Sequence, residues 1–173
     1  MAYQAPHSRN LRKGRYSEVG GFYFLTTSAA GRRRLFEETD RARIVLDAIL
    51  WLHAADRFIV DAAVVMPDHL HLVGQLGDES RRDAAPTNQV RQEAVPTLAK
   101  VMHTLKSYSA KRLIGAGATA PVWQDGYHDH GLRDNEDYRA RVRYVVQNPV
   151  RAGLVRRVGD YPFIILPDWW HAD

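Results

Sequence analysis

The chain has 173 residues, of which 45% are hydrophobic and 25% charged, a balance that excludes wholesale disorder and fits one globular domain. It contains no cysteine, which removes disulfides, thiolate metal sites and a thiol nucleophile together. Lys and Arg total 24 against 20 Asp and Glu, and the excess is clustered. A run of cations lies in residues 1–34, a second in Leu98–Leu113 and a third from Arg133 to Arg157, the last interleaved with aromatics. Such clusters suit a polyanion with exposed bases, since phosphates need charge and unpaired bases need stacking surfaces; a solvated basic surface has the same composition. No apolar run approaches the length of a membrane span, and the basic N-terminus has no apolar signal core, so neither membrane spanning nor secretion is expected, and the expected location is cytoplasmic.

In chain order, residues 1–18 read as a basic arm and 19–162 as one domain. Gly21–Ser28 is aromatic and β-branched, a strand pattern. Asp40–Ala55 carries Ile44, Leu46, Ile49, Leu50 and Leu52 at helical spacing, with Asp40 as the expected N-cap. Phe58–Met66 and His69–Gly74 are apolar runs divided by Pro67-Asp68, which predicts a hairpin. Residues 77–95 are polar and read as a mobile loop. Thr97–Leu113 is helical, Tyr127–Leu132 a fourth strand, and Asp134 caps a helix expected to stop near Gln147, before Asn148-Pro149. Residues 163–173 read as a C-terminal tail. The order β-α-β-β-α-β plus a final helix predicts an α+β, ferredoxin-like split βαβ fold: an antiparallel sheet with helices on one face and an extra C-terminal helix. That fold hosts many functions.

Chemistry enters at His69-Leu70-His71. On a strand, residues i and i+2 share a face, so both imidazoles converge while Leu70 turns away. The pair is half of a metal site that still needs an oxygen donor, compatible with Mg²⁺ or Mn²⁺; two ordinary strand histidines have the same spacing. His128-Asp129-His130 repeats the spacing, but its charged middle residue predicts a structural or substrate-contacting role. With no cysteine and no serine in a Gly-x-Ser-x-Gly elbow, tyrosine is the candidate nucleophile. Tyr108 follows Leu98, Val101, Met102 and Leu105, a core stripe, and is expected to pack. Tyr144 lies roughly 120° around its helix from the stripe of Tyr138, Val142 and Val145. Asn148, one turn on, shares its flank, so a phenol and an amide oxygen occupy one helix face; a surface tyrosine with an Asn cap has the same pattern.

The strings RKGRYSEVGGFYFLTT, VVMPDHLHLV, VWQDGYHDHGLR and YVVQNPVRAGLV, followed by Tyr161-Pro162, resemble the REP-associated tyrosine transposases. These are bacterial relatives of the single-tyrosine transposases in the His-hydrophobic-His endonuclease superfamily. The resemblance runs from about Arg12 to Pro162. It implies that His69 and His71 bind a divalent ion, Mg²⁺ or Mn²⁺, that Tyr144 is the catalytic tyrosine, and that Asn148 is a third, polar ligand. It further implies cleavage and rejoining of single-stranded DNA through a 5′-phosphotyrosine, on repetitive extragenic palindromic hairpins and with no nucleotide cofactor. The arm residues Arg12, Lys13 and Arg15, with Lys106 and Lys111, would hold phosphates. Trp123 and Tyr127 would stack unpaired bases, and His130 and Arg133 fall in a stretch recurrent in the family. Such a protein acts as a monomer or a homodimer. Two departures stand out: a longer, more polar loop at 77–95, and an ending with Trp169-Trp170 in place of a serine-rich continuation. Competing classes are a domesticated, non-catalytic hairpin-binding protein, an RNA-binding module on the same sheet, and a replication or plasmid-transfer initiator of the superfamily.

Overall fold

A computed structural model describes residues 17–77 and 97–170. The expected basic arm, including Arg12, Lys13 and Arg15, and nearly all of the expected 77–95 loop lie outside the described residues.

Five strands and three α-helices follow one another as β1 (Phe22–Ser28), α1 (Thr39–Ala54), β2 (Phe58–Met66), β3 (His69–Leu76), α2 (Leu98–Gly115), β4 (His128–Gly131), α3 (Asn135–Arg151) and β5 (Ile164–Ile165). The sheet is antiparallel in the order β4-β1-β3-β2-β5, the ferredoxin-like arrangement with one added edge strand. Residues expected in a C-terminal tail therefore belong to the sheet, since Ile164 and Ile165 pair with Val64 and Ala63.

Strand alternation divides the core. Leu25, Leu70 and Leu72 are fully buried, as are Val45, Ile49 and Leu52 of α1 and Leu105 and Leu113 of α2. Each such side chain contributes roughly 1.5–3 kcal/mol by leaving water. The helices α1 and α2 pack on one another, and Trp51 stacks on Tyr108 with ring centroids 6.0 Å apart. Helix α3 instead lies across the sheet face that carries His71, packing on β2 and β3.

Three local expectations are corrected. Asp40 is not the N-cap of α1; Glu38 holds that position without a side-chain cap, and Asp40 sits in the first turn, where its negative charge is stabilised by the positive end of the helix dipole. Tyr108 is not in the core. The buried stripe of α2 runs Leu98, Val101, Met102, Leu105, Ser109, Leu113, leaving Tyr108 one residue out of phase and 38% exposed. Finally, α3 does not stop before Pro149. The proline is buried inside the last turn, where it costs one hydrogen bond and keeps a helical φ. Gly153 (φ 69°) ends the helix instead: its N–H donates to the Val150 carbonyl at 3.0 Å and the Leu154 N–H to the Pro149 carbonyl at 2.9 Å, a Schellman closure. At the other end Asp134 does cap, accepting from the Asp137 N–H at 2.8 Å.

Strand β2 has a bulge. Val60 pairs with Gly74 and Ala62 with Val73, so Asp61 has no opposite partner. A Cβ on Gly74 would lie 2.1 Å from the Ile59 carbonyl oxygen, so glycine permits the close approach of the two strands there. Asp61 is thereby released from the ladder and meets Tyr138 of α3.

Candidate active site

The pleat of β3 places His69 and His71 on one face, with ring centroids 4.7 Å apart. Register then extends that face across the sheet. His71 pairs with Thr26 of β1, and Thr26 with His128 of β4; Phe24, two residues away, pairs with His130. Both His-x-His pairs thus belong to the same sheet face, which spacing alone does not reveal.

Helix α3 packs over this face on β2 and β3, and its tyrosines reach the aromatic side chains of β1. Tyr138 meets Phe22 edge-on at 5.5 Å, and Tyr144 meets Phe24 at 5.9 Å and His71 at 5.4 Å. Asn148 lies half-buried on α3, one turn beyond Tyr144. The Arg151 guanidinium lies 5.1 Å over the Tyr144 ring and that of Arg141 5.6 Å over Phe24.

The imidazoles are oriented by their other nitrogens. His69 Nδ1–H donates to Asp68 Oδ1 at 2.6 Å, and Asp68 in turn accepts from Arg32 at 3.3 Å. Burial alone would raise the Asp68 carboxyl, but the His69 hydrogen bond and the His69 and Arg32 charges outweigh it and hold the group below its usual range. His71 Nδ1 and the Thr26 hydroxyl share a 2.7 Å hydrogen bond, while His71 Nε2 is buried with no partner. Burial, then the neighbouring His69 and Arg32 charges, push His71 down to about 3, so it is a neutral imidazole at ordinary pH. A neutral ring with one nitrogen tied to a hydroxyl and the other left without a partner suits a metal ligand. The donor set therefore fits a divalent cation as a two-imidazole half-site. Among the described residues no group of three or more His, Asp or Glu side chains could hold a metal ion.

The remaining expected site residues are distributed unevenly. Lys111 is exposed on α2, and Arg133 is exposed beside a cavity at the start of α3. His130 is paired with Asp137 at 3.2 Å. Tyr127 is half-buried against the core. Two assignments are corrected. Trp123 is 8% exposed; it packs on Phe36 at 4.8 Å and its indole N–H donates to Ser109 Oγ at 3.0 Å, so its faces are not a platform for bases. Lys106 donates to the Gln124 carbonyl at 2.8 Å and also to the Gly126 carbonyl, tying α2 to the following loop. Phe24, Thr26, Asp68 and Arg151 escaped the sequence reasoning. Arg151 had a signal, seven residues or two turns after Tyr144, and Asp68 directly precedes His69; Phe24 and Thr26 emerge only from the sheet register.

A ferredoxin-like sheet with a His-hydrophobic-His pair facing a helical tyrosine is the architecture implied by the tyrosine transposase resemblance. Comparison with known proteins agrees. No family model matches the chain. It is 26% identical over 149 residues, 86% of its length and 78% of the relative's, to the REP-associated tyrosine transposase of Escherichia coli (strain K12). It is also 26% identical over 144 residues, 83% of its length and 78% of the relative's, to a protein of Haemophilus influenzae described as a putative REP-associated tyrosine transposase. Among solved structures, a REP-associated tyrosine transposase bound to a REP hairpin superposes with a TM-score of 0.65 at 25% identity, covering 92% of this chain and 90% of that one. In sequence and in fold the chain is similar to the REP-associated tyrosine transposases.

Proposed function

We propose that this chain cleaves and rejoins single-stranded DNA at palindromic hairpins, with Tyr144 as nucleophile and a divalent ion held by His69, His71 and Asn148. The observation that carries the reading is the Tyr144 ring against His71, 5.4 Å between centroids, with His69 beside it. Its relatives are REP-associated tyrosine transposases, one of them bound to a REP hairpin.

In the proposed reaction the Tyr144 hydroxyl oxygen attacks the scissile phosphorus. The P–O3′ bond breaks, the phenolic proton passes to the leaving 3′-oxygen, and the 5′-phosphate remains on tyrosine. Reversal by the same or another 3′-hydroxyl restores a phosphodiester, so no nucleotide is consumed. The divalent ion supplies Lewis-acid polarisation and charge neutralisation at the phosphate when bound. Asp68 and Thr26 keep the two imidazoles in the ligating tautomer, and Arg151 sets positive charge beside the reacting ring and strand. Phe24 and His71 hold the Tyr144 ring from the sheet side, which limits its rotamers before substrate arrives.

The test is a labelled palindromic hairpin incubated as a single strand with Mg²⁺ or Mn²⁺ and resolved on a denaturing gel. A protein–DNA adduct resistant to denaturation supports the reading. Tight hairpin binding with no adduct would leave a non-catalytic hairpin-binding protein.

A further inference from the structure

The arginines of α3 are not equivalent. Arg139 lies over the Trp169 ring and Arg143 is exposed, whereas Arg141 is half-buried and turns toward the sheet face that carries the histidines. Its Nε–H donates to Asp137 Oδ1 at 3.3 Å, one turn back along the helix, and its guanidinium carbon sits 5.6 Å over the Phe24 ring. Phe24 is also the ring that Tyr144 meets edge-on at 5.9 Å. Arg141 and Tyr144, three residues apart on the helix, therefore share one aromatic floor.

The anchor of Arg141 reaches the edge of the sheet. Asp137 lies in the first turn of α3, where Asp134 caps its N–H, and its Oδ2 accepts from His130 Nε2 at 3.2 Å. Strand β4 thus holds the carboxylate, and the carboxylate holds the guanidinium. Desolvation alone would raise the Asp137 carboxyl, but the His130 and Arg141 hydrogen bonds and charges outweigh it and keep the group below its usual range, ionised as the acceptor of both.

This arrangement uses only the Nε–H of Arg141. Among the described residues its two terminal amino groups have no acceptor, and together they make the fork that matches two oxygens of one phosphate. As a surface ion pair the contact with Asp137 adds little to stability. A guanidinium fixed at its neck and along its face, with the fork left open beside a phenol, is preorganised for an anion. Arg151 lies over the Tyr144 ring from the other end of the helix and makes no ion pair among the described residues, so Arg141 is the anchored member of the two.

We infer that Arg141 is a phosphate-binding residue of the proposed active site, gripping the DNA backbone at or next to the phosphate that Tyr144 attacks, and that Asp137 and His130 are the positioning residues that hold it there. The inference rests on the proposed DNA-cleaving function and adds to it a substrate contact on the β4 side of the nucleophile.

The probe is a stem-loop DNA with single-stranded tails, made as a set in which one phosphate at a time is an uncharged methylphosphonate. Affinities for the full chain are measured in chelator, so that nothing is cleaved, and the cut is mapped separately with wild type and Mg²⁺. Arg141→Gln should weaken binding of the unmodified DNA about ten-fold, the low end for hydrogen bonds to a charged group, and reduce the salt slope by about 0.7, one phosphate's share. At the scissile phosphate or its neighbour, the methylphosphonate should weaken wild type by a similar factor and Arg141→Gln hardly at all. Arg141→Lys should regain the salt slope. Asp137→Asn leaves the guanidinium but weakens its anchor, and should lose part of the discrimination at that same position. A merely structural brace predicts an equal penalty at every phosphate. If no such position exists, or if it lies far from the mapped cut, the inference is overturned and the proposed function stands. Binding without any cut defeats the proposed function, and Arg141 is then judged on the non-additive position alone. A wild type that binds no stem-loop removes both.

Discussion

The Tyr144 ring stands edge-on against His71, 69° between their planes, although the two residues are 73 positions apart in the chain. One belongs to the central strand pair of the sheet and the other to the last helix, so only the closed fold assembles them. Phe24 completes the contact from β1 at 5.3 Å from His71. Tyr144→Phe keeps the ring and both aromatic contacts while deleting one oxygen, so thermal stability and hairpin affinity should hardly change. The covalent adduct should vanish entirely, because the chain has no cysteine and no other tyrosine ring contacts the imidazole pair among the described residues. A denaturing gel of labelled hairpin with wild type and variant reads both outcomes, and adduct surviving in the variant would remove Tyr144 from the mechanism.

Two outer groups fix the imidazoles, and their removal separates ligation from packing. Asp68→Asn takes the charge from the acceptor of His69 Nδ1–H, and Thr26→Val deletes the hydroxyl bonded to His71 Nδ1. Loss of such an orienting partner typically weakens metal binding about 10- to 100-fold. Calorimetric titration with Mn²⁺ should show that weakening in each variant, with His69→Ala weaker than either. Equal Mn²⁺ affinity in wild type, Thr26→Val and His69→Ala would place the cation elsewhere.

Asp61 makes a stability prediction with a definite sign. Burial raises its pKa above the ordinary 3.8, opposed in part by the Tyr138 hydroxyl and the His53 charge. The folded chain thus binds this proton more tightly than the unfolded chain does. Stability therefore falls as pH rises from the unfolded pKa through the raised folded one, and the penalty is complete above both. Asp61→Asn should be more thermally stable than wild type at neutral pH, and the two melting temperatures should converge as the pH is lowered toward 4. A gap that stays constant over that range would assign the effect to packing instead of charge.

Much of this was legible in the sequence, for reasons that can be stated residue by residue. The hairpin at Pro67-Asp68, the shared face of His69 and His71 and the cap at Asp134 depend only on local periodicity and turn chemistry, and the structure has all three. What failed was decided by longer-range packing. Trp123 was expected to stack bases, a role implied by the resemblance, yet an isolated bridge from Trp123 to Ala29 draws it inside, onto Phe36. Pro149 looked like a helix stop, but a buried proline in a final turn loses little, and Gly153 supplied the stronger signal. The partnership of Thr26 with His71 needed the β1–β3 register, which no single-strand pattern contains.

Neighbouring residues of α2 give the last prediction, because Tyr108 and Ser109 look outward and inward respectively. Tyr108 stacks on Trp51 and hydrogen bonds with Arg112 on the surface, remote from the histidine face. Tyr108→Phe loses one exposed hydrogen bond, worth well under about 1 kcal/mol, and should leave adduct formation unchanged. Ser109 is fully buried: its hydroxyl donates to the Leu105 carbonyl at 2.6 Å and accepts the Trp123 indole N–H at 3.0 Å. Ser109→Ala removes that acceptor and leaves a buried indole N–H unpaired, which costs about 1–3 kcal/mol. For a domain of this size each kcal/mol lowers the melting temperature by roughly 2–4 °C. Thermal melts of the two variants should differ accordingly, with Ser109→Ala clearly lower. Replacing the tryptophan as well, in Ser109→Ala with Trp123→Phe, should cost less than the sum of the two single changes, since no N–H is then stranded. Additive losses in that cycle would show that the hydroxyl and the indole act independently, and the Ser109–Trp123 bond would no longer explain why this tryptophan sits inside the protein.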